Sequence, residues 1–441
     1  MTDLKSQAHR YHREGAVPQA IVLYQKAAAE APNDPEIPFL MSSALRLQKR
    51  DSEAEQALLA ALSLKPDFVE AHTNIGILYQ NWGFNQKAEA HFQEAYTYEP
   101  TIRNAVNLSG IMQVQGRPAE ACELLYPHLK ANPIHSVGWG TLGAALLDMG
   151  HREDASGCFA RAHQYAPNDA NHIVHLYAAT VPNALGTELV QHTQMLEEAL
   201  KRDPKHPMAR FLLAASIYST NPIEAKQHLN ALVGPHFLPW KASLKHIQSH
   251  ADTDTLYFAD TASVLRYAAL LAPENGQCLE FGVRYGTSTQ IIQKATGSLV
   301  TGFDSFQGLP TAWHEQPAGA YSTEGYIPEI PNVRLIPGWF EDTVEPYLKK
   351  NPSPIRLANI DCDLYSSTKT VLDAITPYLQ DETVLIFDEY IMNPKWQEDE
   401  FKAFQEWLME NDWTYRYKGV SYFTNQVIVQ LQRREGQSNK R

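Results

Sequence analysis

Small and apolar positions recur along the first half of the chain at fixed spacing. Ala20, Tyr24, Ala27 and Pro32 form one set, repeated as Ala54, Leu58, Ala61 and Pro66, then as Ala88, Phe92, Ala95 and Pro100. A fourth set is Ala121, Leu125 and Pro133, with His128 in the small-residue slot, and a fifth is Ala155, Phe159, Ala162 and Pro167. Successive sets lie about 34 residues apart. Steps of four and three keep these side chains on one helical face, and the proline stops the helix. Gly15, Gly83, Gly116 and Gly150 each stand five residues before the first alanine of a set, where a turn from a preceding helix is needed. Lys49 holds that place in the second set, which predicts a turn of different shape there. Gly76 and Gly143 let the paired helices cross closely, with an aromatic filling the gap. Two further units, 170–204 and 207–235, are degenerate, because Pro182 and Gly186 interrupt the first expected helix.

The pattern resembles the tetratricopeptide repeat, in which each helix pair buries its face only by stacking on its neighbours. Between 236 and 250 the periodicity lapses, and Pro239-Trp240 followed by polar residues reads as a junction. Then the pattern changes. A helix is expected over 255–271, stopped by Pro273-Glu274-Asn275-Gly276, and apolar runs at 277–281, 299–303, 333–336, 355–360, 383–387 and 426–431 alternate with helical stretches. That alternation predicts an α/β domain with a doubly wound parallel sheet. The expected organisation is a solenoid over 1–235, the junction over 236–250, the α/β domain over 251–432 and a polar tail over 433–441. All the candidate chemistry falls in the third part, so the isolated C-terminal segment is expected to bind its ligand unaided.

Composition narrows the functional classes. A chain of 441 residues with 44% hydrophobic and 20% charged positions has enough apolar surface for several cores. Its formal charge of −13 and the lack of a basic stripe argue against nucleic-acid binding. Cys122, Cys158, Cys278 and Cys362 are far apart, which suggests neither a zinc knuckle nor a disulfide framework. No run of about eighteen apolar residues occurs, so no membrane association and a cytoplasmic location are expected. Histidines such as His72, His91 and His163 lack metal-ligand spacing and read as packing residues. The concave face of the solenoid suggests a protein partner or self-association.

The chemistry begins where the run 277–281 ends. Glu280, Gly282, Gly286 and Ser288 form a glycine-interrupted turn into a helix, and glycine lets the backbone approach a nucleotide-like ligand. Asp304, about twenty residues on, is placed to accept from ribose hydroxyls. Asp361 and Asp363 end one expected strand, and Asp388 and Glu389 end another. In a parallel sheet those ends line the ligand crevice, and a set of carboxylate oxygens there suits Mg²⁺. The loop 311–332 carries Trp313, His314, Tyr321 and Tyr326 among glycines and prolines and reads as a lid whose aromatics could stack on a sugar.

The spacing Glu-x-Gly-x-x-x-Gly-x-Ser resembles the first motif of class I S-adenosylmethionine (SAM) methyltransferases. Asp304-Ser305-Phe306-Gln307-Gly308-Leu309-Pro310, Gly338-Trp339-Phe340-Glu341-Asp342-Thr343, Asp361-Cys362-Asp363-Leu364-Tyr365 and Phe387-Asp388-Glu389-Tyr390 follow in the order found in the macrocin O-methyltransferase family. This resemblance covers roughly 251–432. It implies a Rossmann-like fold, SAM, a divalent metal and methylation of a hydroxyl on a sugar or glycosylated natural product. By position, Glu280, Gly282, Gly286, Ser288, Asp304 and Ser305 would cradle SAM, with Trp339 and Phe340 over its adenine. Asp361, Asp388 and Glu389 would hold the metal, and Asp363 would be the general base, with His314 the alternative. Two departures stand out: Glu389 replaces the usual aspartate, and Asn359 stands where a histidine is common. A peptide or carrier-bound acceptor brought by the solenoid, or a SAM-binding scaffold without turnover, are the other readings.

Overall fold

The computed structural model describes residues 4–181, 183–314 and 316–434. Expectations for Pro182 and for most of the polar tail, 435–441, therefore lie outside the described residues. The chain divides into two compact units, Met1–Ala131 and Asn132–Arg441.

In the first unit the repeats form antiparallel helix pairs, from Leu4–Arg13 with Val17–Glu30 through Ile102–Val114 with Pro118–Ala131. The recurring alanines Ala20, Ala54, Ala88 and Ala121 are fully buried, and Tyr24 and Phe92 fill the space between helices. Gly76 explains the close crossing, because a Cβ there would stand 2.7 Å from the Phe92 ring. The inter-helix turns share one conformation, with φ of 80° at Gly15, 73° at Gly83 and 65° at Gly116. Lys49 does not give the different turn expected of it: its φ is 57°, also left-handed. The cause is the pair of bonds that closes the helix. Lys49 and Arg50 donate to the carbonyls of Arg46 and Leu45, just as Gly83 and Phe84 donate to Gln80 and Tyr79. Those bonds outweigh a Cβ penalty of ~1–2 kcal/mol.

The second unit begins with the helices Ser136–Asp148 and Arg152–Tyr165, which repeat the close crossing with Gly143 against Phe159. Helices Ala170–Thr180 and Thr193–Arg202, then Pro207–Ile217 and Pro222–Ala231, pair as the degenerate repeats should. What intervenes in the first of these pairs is a two-residue strand, β1 (Ala184–Leu185). The expected junction is itself a helix, Leu238–His250, burying Ser243, Leu244 and Ile247.

These helices share a core with the sheet. Ile173, Val174, Tyr177, Phe211 and Leu212 belong to one apolar cluster with Tyr257, Tyr422, Phe281 and Phe387. Tyr177 stacks on Phe423 at 6.3 Å between ring centres. Arg152 donates to the carboxylate of Asp260 and to the Ala178 carbonyl, tying a repeat helix to the start of helix Thr261–Leu271.

The sheet has nine strands: β1, β2 (Leu256–Phe258), β3 (Gln277–Phe281), β4 (Val300–Asp304), β5 (Val333–Pro337), β6 (Ile355–Ile360), β7 (Leu379–Phe387), β8 (Trp413–Ser421) and β9 (Val427–Arg433). Their order is β1-β2-β8-β9-β7-β6-β3-β4-β5. The five strands from β7 to β5 run parallel, but β9 is antiparallel to both β7 and β8. The sheet is therefore mixed rather than wholly parallel, because β8 and β9 form a hairpin and only the crossover-linked strands must be parallel. The expected helix over 255–271 starts later, since 256–258 pairs with β8 and Asp260 caps the helix by accepting from the Ser263 amide. Strand order reverses between β3 and β6. There the carboxyl ends of adjacent strands diverge and leave a crevice. No helix among the described residues is long and apolar enough to cross a membrane.

Two outcomes follow from this packing. Lys49→Gly relieves the left-handed penalty while raising unfolded-chain entropy, for a net gain of about 0.5–1 kcal/mol. Denaturant unfolding of the full chain checks it, and an unchanged or lower midpoint would count against the strain. A chain beginning at Asn132 keeps its whole compact unit, whereas one beginning at His236 loses β1 and uncovers Tyr422 and Tyr257; the longer form is expected to melt cooperatively and the shorter to aggregate, as calorimetry and light scattering would record.

Candidate active site

The turn after β3 is shaped by crowding. Gly282, with φ 94°, sits so close to β6 that a Cβ would lie 1.9 Å from the Asp361 carbonyl oxygen. Gly286, with φ 79°, precedes helix Thr287–Thr296 and packs on Ile330. Both glycines are demanded by neighbouring protein atoms. The Asp304 carboxylate, at the end of β4, braces the same turn: one oxygen accepts from the amides of Val283 at 2.8 Å and Arg284 at 2.7 Å, the other from Phe306 at 2.6 Å.

A crevice of about 290 Å³ opens over this turn. Of the sequence-nominated residues, Gly282, Asp304, Ser305, Trp339, Phe340, Asp361, Asp363, Asp388 and Glu389 line it. Glu280, Gly286, Ser288 and His314 are not on its wall. Glu280 is fully buried beneath the turn, accepting from Asn359 Nδ2 at 2.8 Å and from the Thr289 hydroxyl. Burial pushes its carboxyl up to about 7. Asn359 thus occupies the histidine position as a strut for Glu280.

The loop 311–332 connects β4 to β5, and its Trp313 and Tyr321 line the crevice. Trp313 Nε1 donates to Asp399 Oδ2 at 3.1 Å, and His314 Nε2 stands 3.0 Å from the same oxygen. His314 therefore faces the start of helix Glu400–Glu410. Left-handed backbone in non-glycine residues gathers here, at Arg284, Phe306, Tyr321, Asp363 and Met392, which is where functional geometry is commonly held against strain.

Asp361, Asp363, Asp388 and Glu389 follow β6 and β7. Each keeps an edge toward the crevice while protein encloses the rest. Burial, then repulsion from Asp388 and Asp363, lifts Asp361 well above the usual carboxylate range. Burial and Asp388 push Asp363 up to about 7, against the pull of Arg284. Asp388 is pushed by burial to about 6, and Glu389 by burial and Asp388 to about 8. Gln426 donates to Asp388, and Asn425 to Glu389 at 3.1 Å.

Sequence reasoning missed the residue that organises these acids. Glu400 is fully buried, and its two oxygens accept from the Cys362 amide at 3.1 Å and the Glu389 amide at 3.2 Å, joining the loops after β6 and β7. A signal existed: Glu400 shares a helical face with Ala403, Phe404, Trp407 and Leu408, where a solvated acid would not lie. Arg284, also missed, lines the crevice but follows no spacing rule.

The donor set is all carboxylate oxygen, as a hard divalent cation requires. Among the described residues no group of three or more histidine, cysteine, aspartate or glutamate side chains is arranged to hold a metal ion. The chemistry of the donors fits such an ion; a finished coordination shell is not assembled.

Comparison with known proteins agrees with this architecture. A methyltransferase-domain model matches residues 279–390, and a tetratricopeptide-repeat model matches 11–73. Among curated proteins, BBSome complex member BBS4 of Bos taurus is 27% identical over 139 residues, covering 31% of this chain and 27% of that protein. Protein O-mannosyl-transferase TMTC3 of Homo sapiens is 24% identical over 222 residues, covering 46% of this chain and 24% of that protein. The chain thus spans about a quarter of the length of these relatives. Among solved structures, the calicheamicin methyltransferase CalS11 is 25% identical, covering 51% of this chain and 91% of its own, with a TM-score of 0.33. The chain carries tetratricopeptide repeats N-terminally and a methyltransferase domain C-terminally.

The acids give a pH dependence. Their pKa values, raised from about 4 in an unfolded chain, mean that the native state binds more protons, so stability falls as pH rises through the folded values of about 6 to 8. Between about pH 6.5 and 8.5, above the ordinary histidine range, the melting temperature of the metal-free protein should fall. Glu389→Gln should flatten that slope and raise the melting temperature at the alkaline end. A rising or flat profile in the parent protein would contradict the charge crowding.

Proposed function

We propose that this protein is a SAM- and divalent-metal-dependent O-methyltransferase acting on a hydroxyl of a sugar or glycosylated product. The observation that carries this reading is one crevice lined by both the glycine turn with Asp304 and the acids Asp361, Asp363, Asp388 and Glu389. When bound, SAM would supply an electrophilic methyl group and the cation a Lewis acid that makes a hydroxyl more acidic. The turn at Gly282, Ser305 and the Trp339-Phe340 edge would seat the donor. Asp361, Asp388 and Glu389 would hold the cation, and its charge would offset the repulsion that now lifts their pKa values.

Asp363 would take the acceptor's proton. A carboxylate pushed up to about 7 is matched to general-base work near neutral pH, and Asp363 faces the crevice whereas His314 faces Asp399. Methyl transfer to the oxygen would leave the electrons of the donor's carbon–sulfur bond on sulfur, and the hydroxyl proton would pass to Asp363. Trp313 lines the crevice and offers a flat apolar face that would suit a sugar ring. The tetratricopeptide repeats support a role in binding a protein partner or a second copy of the chain. Four widely separated cysteines without a disulfide framework in their spacing suit a reducing compartment such as the cytoplasm.

Turnover of labelled SAM with a panel of glycosylated hydroxyl acceptors tests this reading. Asp363→Asn should lower kcat by about 10²-fold or more while leaving donor affinity within a factor of about two. EDTA should abolish activity and added Mg²⁺ restore it. Full turnover in EDTA would remove the metal from the mechanism, and a peptide as the only labelled acceptor would remove the sugar.

A further inference from the structure

Arg284 stands in the turn between β3 and helix Thr287–Thr296, with φ 55°. Its own amide and that of Val283 are both held by Asp304 Oδ2, so the residue's backbone is pinned. The guanidinium carbon lies 5.0 Å from the Tyr321 ring centre and 5.6 Å from that of Tyr285. Nε and Nη2 are shielded from solvent and have no hydrogen-bond partner among the described residues. Two shielded donors on a permanent cation, left without an acceptor, are costly unless a ligand supplies one.

The surroundings define that ligand. Asp304, Glu341, Asp361, Asp363, Asp388 and Glu389 also line the crevice, and among its lining residues Arg284 is the one cationic side chain. Asp304 is engaged by three amides, and Asp363 makes no hydrogen bond to the guanidinium. A methyl donor of the SAM type carries a sulfonium and an ammonium, which the acids favour, and one carboxylate, which only Arg284 favours. The planar guanidinium fork matches a carboxylate. Its place on the loop after β3, where the strand order reverses, is where a donor lies in parallel α/β sheets.

We propose that Arg284 binds the carboxylate of the donor's methionine portion; this rests on the methyl-donor reading above. Tyr321, from the lid, covers the outer face of the guanidinium, so the anion contact and the lid meet at one side chain.

The test uses the full chain and calorimetry with two probes and no acceptor. S-adenosylhomocysteine keeps the amino-acid end, whereas 5′-methylthioadenosine keeps the adenosine and thioether but lacks the carboxylate. Arg284→Gln should weaken S-adenosylhomocysteine by about tenfold or more and leave 5′-methylthioadenosine within about twofold, and Arg284→Lys should fall between, since charge remains but the fork does not. Equal weakening of both probes by both variants would mean that the turn had been disturbed, and would overturn the assignment. Unchanged S-adenosylhomocysteine affinity in Arg284→Gln would also overturn it. Failure of the unaltered chain to bind either probe would instead remove the methyl-donor reading on which the proposal stands.

Discussion

The C-terminal half of this molecule is arranged around the problem of keeping like charges close together. Glu280 and Glu400 are wholly buried, and Asp361, Asp363, Asp388 and Glu389 show only an edge to the crevice. Carboxylates so placed repel one another and lose hydration, and both effects favour protonation over charge. The fold answers with donors. Asn359 and Thr289 serve Glu280, Gln426 serves Asp388, Asn425 serves Glu389, and two backbone amides serve Glu400. None of these partners is a cation. The charge is organised rather than cancelled, which leaves the crevice receptive to a positively charged ligand.

Much of this could be read from residue order. The strands over 277–281 and 355–360 were legible to the residue because they are buried on both faces and read as continuous apolar runs. The four crevice acids were legible because each pair ends such a run. The strand Trp413–Ser421 was not, although Trp413, Tyr415 and Tyr417 alternate, because Lys418 and Gly419 interrupt the pattern where the ladder shifts register. The donors around the acids were equally hidden. Asn359, Gln426 and Glu400 are far apart in sequence, and only the sheet brings them to one place. Gly282 and Gly286 also make room for neighbouring protein atoms, a demand that residue order does not reveal.

The repeat pattern runs on past the point where the packing changes. Helices Ser136–Asp148 and Arg152–Tyr165 keep the small-residue crossing of the earlier repeats, whereas the helices from Ala170–Thr180 onward share the apolar cluster of the sheet. The same alternation of alanine and aromatic serves a stack of helices in one unit and a scaffold for strands in the other. Arg152 illustrates the change: it lies at the start of a repeat helix but spends its guanidinium on Asp260 and on backbone carbonyls near the sheet.

Asp399 and Glu400 are neighbours, and they hold different things. Asp399 accepts from Trp313 and faces His314 in the lid, while Glu400 grips the loops after β6 and β7. One helical turn is thus the common hinge pin for the cover of the crevice and for its floor. A substitution that shifts this turn therefore reaches the 311–332 loop and the acid-bearing loops together, although they are far apart in sequence.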